Sequence, residues 1–485
     1  MEAEKSMKWW TNWKERIHGR QGIGFNIIFG VSLFLLIVAN LLFPAIERSY
    51  ALKTDLTKNH IYTLSDSTKK ILQELEEDIY IYAVYSPGNE DIRVQSLLEK
   101  YGAASPYIHV TSISTEVLQS AEMKAQPAMS EGVVFFNADH SFSHTFAYEN
   151  FYMTDEEGNQ MGWKAEAKIT AAIQGIVRGA FCNVRLLTGH GETTEKDLSR
   201  FLQMLDIGNF QVSSYDPSAD TQPLDAKTDI LVIVSPKADL EHNEYETISK
   251  FMEEGGRTLL LLDRASFNTK QGTLQIYTTE LPSFSKLMAD YNIQVNDDLI
   301  FSRSVEAMNL RRTSFRATPL MHSVTEQLIK NDQGVVVNEA ASLRFLNGGE
   351  VKISALLAAD ARCFAKTLEN GVENFTYQSK DMQGTFIVAA LAEKDASCLA
   401  VITDSLCIGD ESLSIPGNRL FFESLINTIS PMEPLISVES KELCIPGIPR
   451  SGGAAQMLIM IGGLLVLPFV VLYVGMRMKS GKWRK

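Results

Sequence analysis

The sequence predicts an α/β fold, and three observations over residues 183–263 predict it. Four short runs are nearly continuous in apolar residues: Asn183 to Leu187, Phe210 to Tyr215, Asp229 to Val234 and Arg257 to Leu262. Two segments of helical period lie among them, one carrying Leu198, Phe201, Leu202 and Leu205, the other running from Tyr245 to Met252. Strands that do not alternate with polar residues are covered by helices on both faces, the condition met in a parallel sheet. Gly255-Gly256 stands where the second helix must stop and turn into a strand, a place where glycine takes positive φ at little cost.

Ligands of such sheets sit at the carboxyl ends of the strands, so the first candidate site is the loop Gly189-His190-Gly191-Glu192. Two readings of it stand side by side. In the structural one the glycines permit a tight turn, Thr194 with Asp197 caps the next helix, and Glu192 suits that helix's N-terminus. In the chemical one His190 is a base and Glu192 a metal ligand. No third ligand follows at a recognisable spacing, so the structural reading is preferred and the loop is kept as an interaction loop. Catalytic residues, cofactor-binding residues and metal ligands are not assigned.

The chain of 485 residues carries a net charge of -14, unevenly spread. Residues 1–20 sum to +2 and residues 477–485 to +5, which leaves -21 for the remainder. An acidic body repels nucleic acid and anionic lipid, so DNA or RNA is not expected as a partner. Inside the basic ends lie two charge-free runs of 26 residues, 21–46 and 451–476. Each exceeds the roughly 20 apolar residues that cross a bilayer as a helix. Membrane helices are therefore expected at 21–46 and 453–476. The first is too long for a signal-peptide core and lacks a small-x-small cleavage site, which favours an uncleaved anchor. Lysine and arginine flank the outer side of both, placing the basic segments 1–20 and 477–485 in the cytoplasm and residues 47–450 on the far side of the membrane. Cys182, Cys363, Cys398, Cys407 and Cys444 show no CxxC pair and no zinc pattern, and buried thiols are the preferred reading.

Within the body, Ser65 is the expected N-cap of a helix through Thr68, Leu72 and Leu75, followed by a strand at Ile79 to Tyr85, a helix from Ile92 to Gly102 and a strand from Tyr107 to Ile113. With strands at Gly132 to Asn137 and Ser143 to Tyr148 these make a small α/β domain over 55–155. Asp139, His140 and His144 do not form a metal site, because positions four apart on a strand lie about 13 Å from each other. The acidic turn Asp155 to Gly158 lacks calcium-loop spacing. Trp163 to Arg178 is helical in period and leads into the second domain, 160–430, whose core is 183–263. Arg303, Arg311, Arg312 and Arg316 form a basic island, best read as a solvated loop. Further strands are expected at Gly334 to Val337, Ala341 to Phe345, Thr385 to Leu391 and Leu399 to Thr403, and a closing helix at Gly417 to Ile429. Whether they extend the central sheet or build a second layer is open. Four prolines between 431 and 450 mark a stalk.

Several of these pieces, in this order between two membrane anchors, resemble the GldG-like auxiliary components of ABC-type transport systems, named for gliding motility. They are Tyr62-Thr63-Leu64-Ser65 with Thr68, Glu166 with Thr170 to Ile173, Leu187-Thr188-Gly189-His190-Gly191-Glu192, Asp229 to Pro236, Gly255-Gly256-Arg257 with Leu259 to Asp263, Thr403-Asp404-Ser405 and Gly417-Asn418-Arg419. The resemblance implies an extracytoplasmic, Rossmann-like body related to glutamine amidotransferases, partnered with an ABC-2-type permease and its ATPase. In amidotransferases a cysteine nucleophile follows a central strand, whereas here Ser235-Pro236-Lys237 stands there. No phosphate loop of the GxxxxGK[ST] type occurs, so ATP hydrolysis is not expected of this chain. The expected role is a membrane-anchored accessory subunit that is not an enzyme. The rivals are a tethered hydrolase using His190 and Glu192, for which no GxSxG elbow exists, and a cell-surface ligand-binding module.

Overall fold

The computed structural model describes residues 63–118, 130–154, 160–268, 273–277, 280–303, 313–348, 350–368, 375–432 and 441–442. The expected membrane helices, the turn at 155–158, Arg311, Arg312, Cys444 and nearly all of the stalk lie outside them. Among the described residues no helix is long and apolar enough to cross a membrane.

The N-terminal part follows the expected order. Ser65 caps α1 (Asp66–Gln73) by accepting the Thr68 amide at 3.2 Å. β1 (Ile79–Tyr85), α2 (Ile92–Ala104) and β2 (Ile108–Ser114) form a parallel unit, with α2 as the crossover that parallel neighbours require. Asp91 caps α2, which buries Val94, Leu97, Leu98 and Tyr101 and runs past Gly102 to Ala104. β3 (Gly132–Phe136) joins the other side of β1 antiparallel, and β4 (Ser143–Phe146) lies outside it. His140 sits in the turn between them at φ 58°, stacked on Tyr80. His144 packs on Phe146 and Phe181 instead, and burial pushes its imidazole down to about 4. The helix expected from Trp163 begins later. β5 (Tyr152–Thr154) and β6 (Gln160–Trp163) pair first, Trp163 opposite Tyr152, and α3 (Ala165–Arg178) follows.

The core comprises β7 (Asn183–Leu187), α4 (Ser199–Ile207), β8 (Gln211–Tyr215), β9 (Asp229–Val234), α5 (His242–Glu253) and β10 (Arg257–Leu261). Beyond it come the pair β11 (Ala265–Asn268) and β12 (Thr273–Ile276), α6 (Pro282–Ala289), β13 (Ile293–Val295), β14 (Asp298–Ser302), β15 (Ser314–Pro319), α7 (Glu326–Lys330) and β16 (Val335–Asn338). The chain closes with β17 (Leu343–Phe345), β18 (Lys352–Ala359), β19 (Cys363–Thr367), β20 (Met382–Gln383), β21 (Phe386–Lys394), β22 (Ser397–Ile402) and α8 (Pro416–Ile429).

Only half of the main sheet is parallel, which corrects the expectation of a parallel sheet. β8, β7, β9, β10 and β22 run parallel in that spatial order, and β21, β18, β15 and β16 continue the sheet antiparallel. The later strands expected from the sequence thus extend the central sheet, whereas β11 with β12, and β14 with β19 and β20, form two separate small sheets. Alternate residues of the parallel strands feed two cores. Val184, Ile230, Val232, Leu259 and Ala400 face α4 and α8 through Phe201, Leu205, Phe421 and Phe422. Leu187, Leu231, Ile233, Leu260 and Val401 face α5 and α6 through Ile248, Phe251, Phe284 and Leu287. This two-sided burial is why the strand sequences carry no polar alternation.

The two glycines ending α5 do different work. Gly255 has φ +101°, the left-handed turn the sequence foretold. At Gly256 a Cβ would lie 2.5 Å from the Phe251 carbonyl oxygen, so the requirement there is close approach. Gly256→Ala is expected to destabilise the protein by about 1–3 kcal/mol, the usual cost of overpacking, read as a fall in the urea midpoint.

The free thiols Cys363, Cys398 and Cys407 are buried and Cys182 partly so.

Candidate functional site

The five parallel strands deliver their following loops to one edge: 188–192 after β7, 216–218 after β8, 235–237 after β9, 262–264 after β10 and 403–405 after β22. β8 leaves β7 to one side and β9 to the other, so the strand order reverses between β7 and β9. That reversal opens the crevice where doubly wound sheets hold ligands. The loop 189–192 lies there, as expected from the sequence.

What the loop does there is bridge the crevice. Gly189 and Gly191 take φ of 110° and 75°, which turns the His190 carbonyl toward the next loop. It accepts the amides of Lys237 at 2.7 Å and Ala238 at 2.9 Å. The His190 ring is buried between two carboxylates, with Nε2 2.8 Å from Glu244 Oε2 and Nδ1 3.3 Å from Glu192 Oε1. Glu192 Oε2 also accepts the His190 amide at 2.8 Å. Glu244, in the first turn of α5, accepts Ser218 Oγ at 2.5 Å and the Glu241 amide at 2.7 Å. Burial pushes the imidazole toward neutrality, but Glu244 and Glu192 outweigh it and hold His190 above its ordinary value. Burial raises Glu244, yet its hydrogen bonds from Ser218, Glu241 and His190 bring it below the ordinary glutamate value. Both ring nitrogens thus face carboxylates, which fixes the orientation of the ring.

The expected cap on the following helix is supplied from elsewhere. Thr194 Oγ1 donates to Asp197 Oδ2 at 2.8 Å and caps no amide, and a single turn of 3-10 helix, Glu195–Asp197, precedes α4. The first turn of α4 is held by Asp410, which accepts Ser199 Oγ at 2.5 Å and the Arg200 amide at 2.8 Å.

Ser235 occupies the elbow after β9 with φ +57° and is 2% exposed. A positive φ at a serine is uncommon, and such positions gather at functional sites. Its Oγ donates to Asp263 and accepts from Lys237 Nζ, while Asp263 also accepts the Ser405 amide and Oγ, each at 2.7 Å. An acyl-transfer elbow needs the amide of the residue after the nucleophile to stabilise an oxyanion. Here that residue is Pro236, which has no N–H, and the next two amides are spent on His190. The geometry of an elbow is present without its electrophilic half.

Other family-like pieces prove structural. Asp404, fully buried, accepts the amides of Asn338 at 2.6 Å and Leu406 at 2.9 Å, and burial holds its carboxyl well above the usual range. Asp229 lies at the opposite, amino edge of the sheet, bonded to Asn183 at 2.7 Å. Glu166 of α3 is 2% exposed and accepts the Ser65 amide at 2.5 Å and Thr68 Oγ1 at 2.8 Å, with Tyr101 OH 2.7 Å from Thr170 Oγ1. Two pieces a hundred residues apart thus form one clamp between α1 and α3. Thr68→Val, nearly isosteric, is expected to cost about 1–3 kcal/mol by leaving buried acceptors unmatched, measured by urea unfolding.

Of the basic island, Arg303 stacks on Tyr377 with its guanidinium carbon 3.9 Å from the ring centre, and Arg316 donates to the Asp332 carbonyl at 2.6 Å.

The fold and this edge define a doubly wound α/β body whose elbow carries serine followed by proline. Residues 183–401 match the family described as ABC-type uncharacterized transport system, and residues 58–148 match a domain of unknown function, DUF7088. Residues 183–401 thus carry the pattern of the auxiliary components of ABC-type transport systems, as the sequence resemblance implied. No curated protein matches it. Among solved structures it is similar to the mmIFT52 N-terminal domain, at 14% identity over 51% of this chain and 96% of that one, with a TM-score of 0.37. The exo-β-1,4-mannosidase Op5Man5 from Opitutaceae bacterium strain TAV5 is 10% identical over 71% of this chain and 49% of that one, with a TM-score of 0.29. Agd3, a carbohydrate deacetylase, is 7% identical over 46% and 29%, with a TM-score of 0.23. Likenesses this weak say nothing about activity.

Proposed function

We propose that the protein is a non-catalytic, membrane-anchored accessory subunit of an ABC-2-type transporter. Helices at 21–46 and 453–476 anchor it, both termini are cytoplasmic, and the acidic body at 47–450 docks a partner or cargo beside the permease and its ATPase. The family match over residues 183–401 carries the accessory role in an ABC transport system. The non-catalytic part is supported by the elbow at Ser235, where a proline follows and the next two amides are spent on His190, and by the His190 ring held between two carboxylates.

Gentle detergent extraction tests the reading. The protein is expected to co-purify with a multispan permease and an ATPase, and isolation alone under those conditions sinks it. Protease added to intact cells is expected to cut within 47–450, and protection there with cleavage in inside-out vesicles reverses the topology. Ser235→Ala is expected to leave transport within about twofold of wild type, since no step passes through the hydroxyl. A loss of a thousandfold or more in a folded variant, the size seen when a nucleophile is removed, restores the hydrolase.

A further inference from the structure

We propose that the cavity beside the loop after β10 binds an anionic amphiphile, with its acidic head at Lys237 and Arg264 and its apolar body along α6. The cavity has a volume of about 700 Å³, within the range of small-molecule sites. It opens where β9 and β10 end, on the ligand-bearing edge of the sheet. Lys237, Arg264, Gln275 and Tyr277 form its polar end. Leu281, Phe284, Met288 and Val295 form its apolar wall.

Charge selects the head. In a body of net charge -21 the cavity gathers three cations, Lys237, Arg264 and Lys286, against one lining carboxylate, Asp263. That carboxylate is already engaged by Ser235, Lys237 and both donors of Ser405. Lys237 Nζ stands 4.0 Å from the Tyr277 ring centre, at the cavity wall. Arg264 pairs with Asp297 through one terminal nitrogen, while its Nε is buried and finds no hydrogen-bond partner among the described residues. The Arg264 side chain is 32% exposed overall and keeps further N–H donors on its terminal nitrogens, which an oxyanion satisfies more strongly than a neutral acceptor does. The apolar wall then selects the rest of the ligand, since covering the half-buried Leu281 and Val295 with a hydrocarbon chain removes apolar surface from water. The head is a carboxylate or a phosphate monoester, two sources of the same oxyanion chemistry.

The test is calorimetric titration of the purified full chain with octanoate, octyl phosphate, octan-1-ol and inorganic phosphate, with the carrier detergent alone as blank. Saturable one-to-one binding of octanoate or octyl phosphate is expected, at least about tenfold tighter than octanol or inorganic phosphate. The tighter of the two assigns the head as carboxylate or phosphate. Arg264→Gln and Lys237→Met are each expected to weaken it about tenfold, the size of one charged hydrogen bond. Ser285→Trp, which fills the cavity from an exposed position on α6 without altering charge, is expected to abolish it. Equal binding of octanol, absence of saturable binding, or unchanged affinity in all three folded variants overturns the proposal. Such a failure leaves the accessory role untouched, since that role is read by co-purification.

Discussion

Replacing His190 by alanine is expected to lower the unfolding free energy by about 3–5 kcal/mol, because removing one member of a buried ion cluster strands the others. The stranded groups are Glu192 and Glu244, whose side chains are 4% and 7% exposed. Without the imidazole ring they are two carboxylates facing a space that water reaches poorly. The same cluster holds the loop whose carbonyl spans the crevice, so the Lys237 and Ala238 amides lose their acceptor's anchorage together with the charge. Urea unfolding of the purified chain checks this, and a loss below about 1 kcal/mol, the value of an exposed pair, shows that the cluster is solvated.

The pH dependence follows from the two shifts. His190 is raised above its ordinary 6.5, so its contribution is complete below 6.5 and fades as pH rises through the higher folded value. Glu244 is lowered below its ordinary 4.5, so its contribution is complete above 4.5 and fades as pH falls through the lower folded value. The stability difference between wild type and His190→Gln is therefore expected to be greatest between 4.5 and 6.5 and to shrink on both sides. A difference independent of pH from 4 to 9, about the span over which both groups titrate, contradicts the ion cluster.

Asn418→Ala is expected to cost about 3–9 kcal/mol, at about 1–3 kcal/mol for each of the three buried backbone groups left unpaired. Asn418 is completely buried at the start of α8. Its Oδ1 accepts the Val336 amide at 2.8 Å, and its Nδ2 donates to the Val336 and Cys407 carbonyls at 2.8 and 3.1 Å. β16 ends the strand order of the sheet, so the side-chain amide does for Val336 what a neighbouring strand would do. The backbones approach closely there, for a Cβ on Gly417 would lie 2.3 Å from the Gly334 carbonyl oxygen. A thermal midpoint close to wild type in the alanine variant shows that water satisfies those groups instead.

Local chemistry made much of this legible. The run Asp229 to Val234 reads as a doubly covered strand because each of its apolar residues meets one of two helical layers. Gly255 announces a turn because few residues accept its φ of +101°. Lys352 to Ala359, rich in alanine and leucine, gave no such signal, since its composition suits a helix equally well. Its strand state comes from pairing with β21 thirty residues on. The cap on α4 was misassigned to Thr194 because Asp410 stands 210 residues from the amide it caps.

By itself the sequence determined the α/β class, the family resemblance of residues 183–401, the edge of the sheet that carries the candidate loop and the charge contrast between ends and body. Those properties reside in periodicity, glycine placement and composition, which act over a few residues. Only the tertiary structure decided that the sheet turns antiparallel beyond β22, that His190 is locked between Glu192 and Glu244, and that Ser235 stands in an elbow whose following amides are spent on His190. Each depends on partners brought together by chain crossings, and hydrogen bonds and burial energies at such junctions are set by geometry that no local pattern encodes.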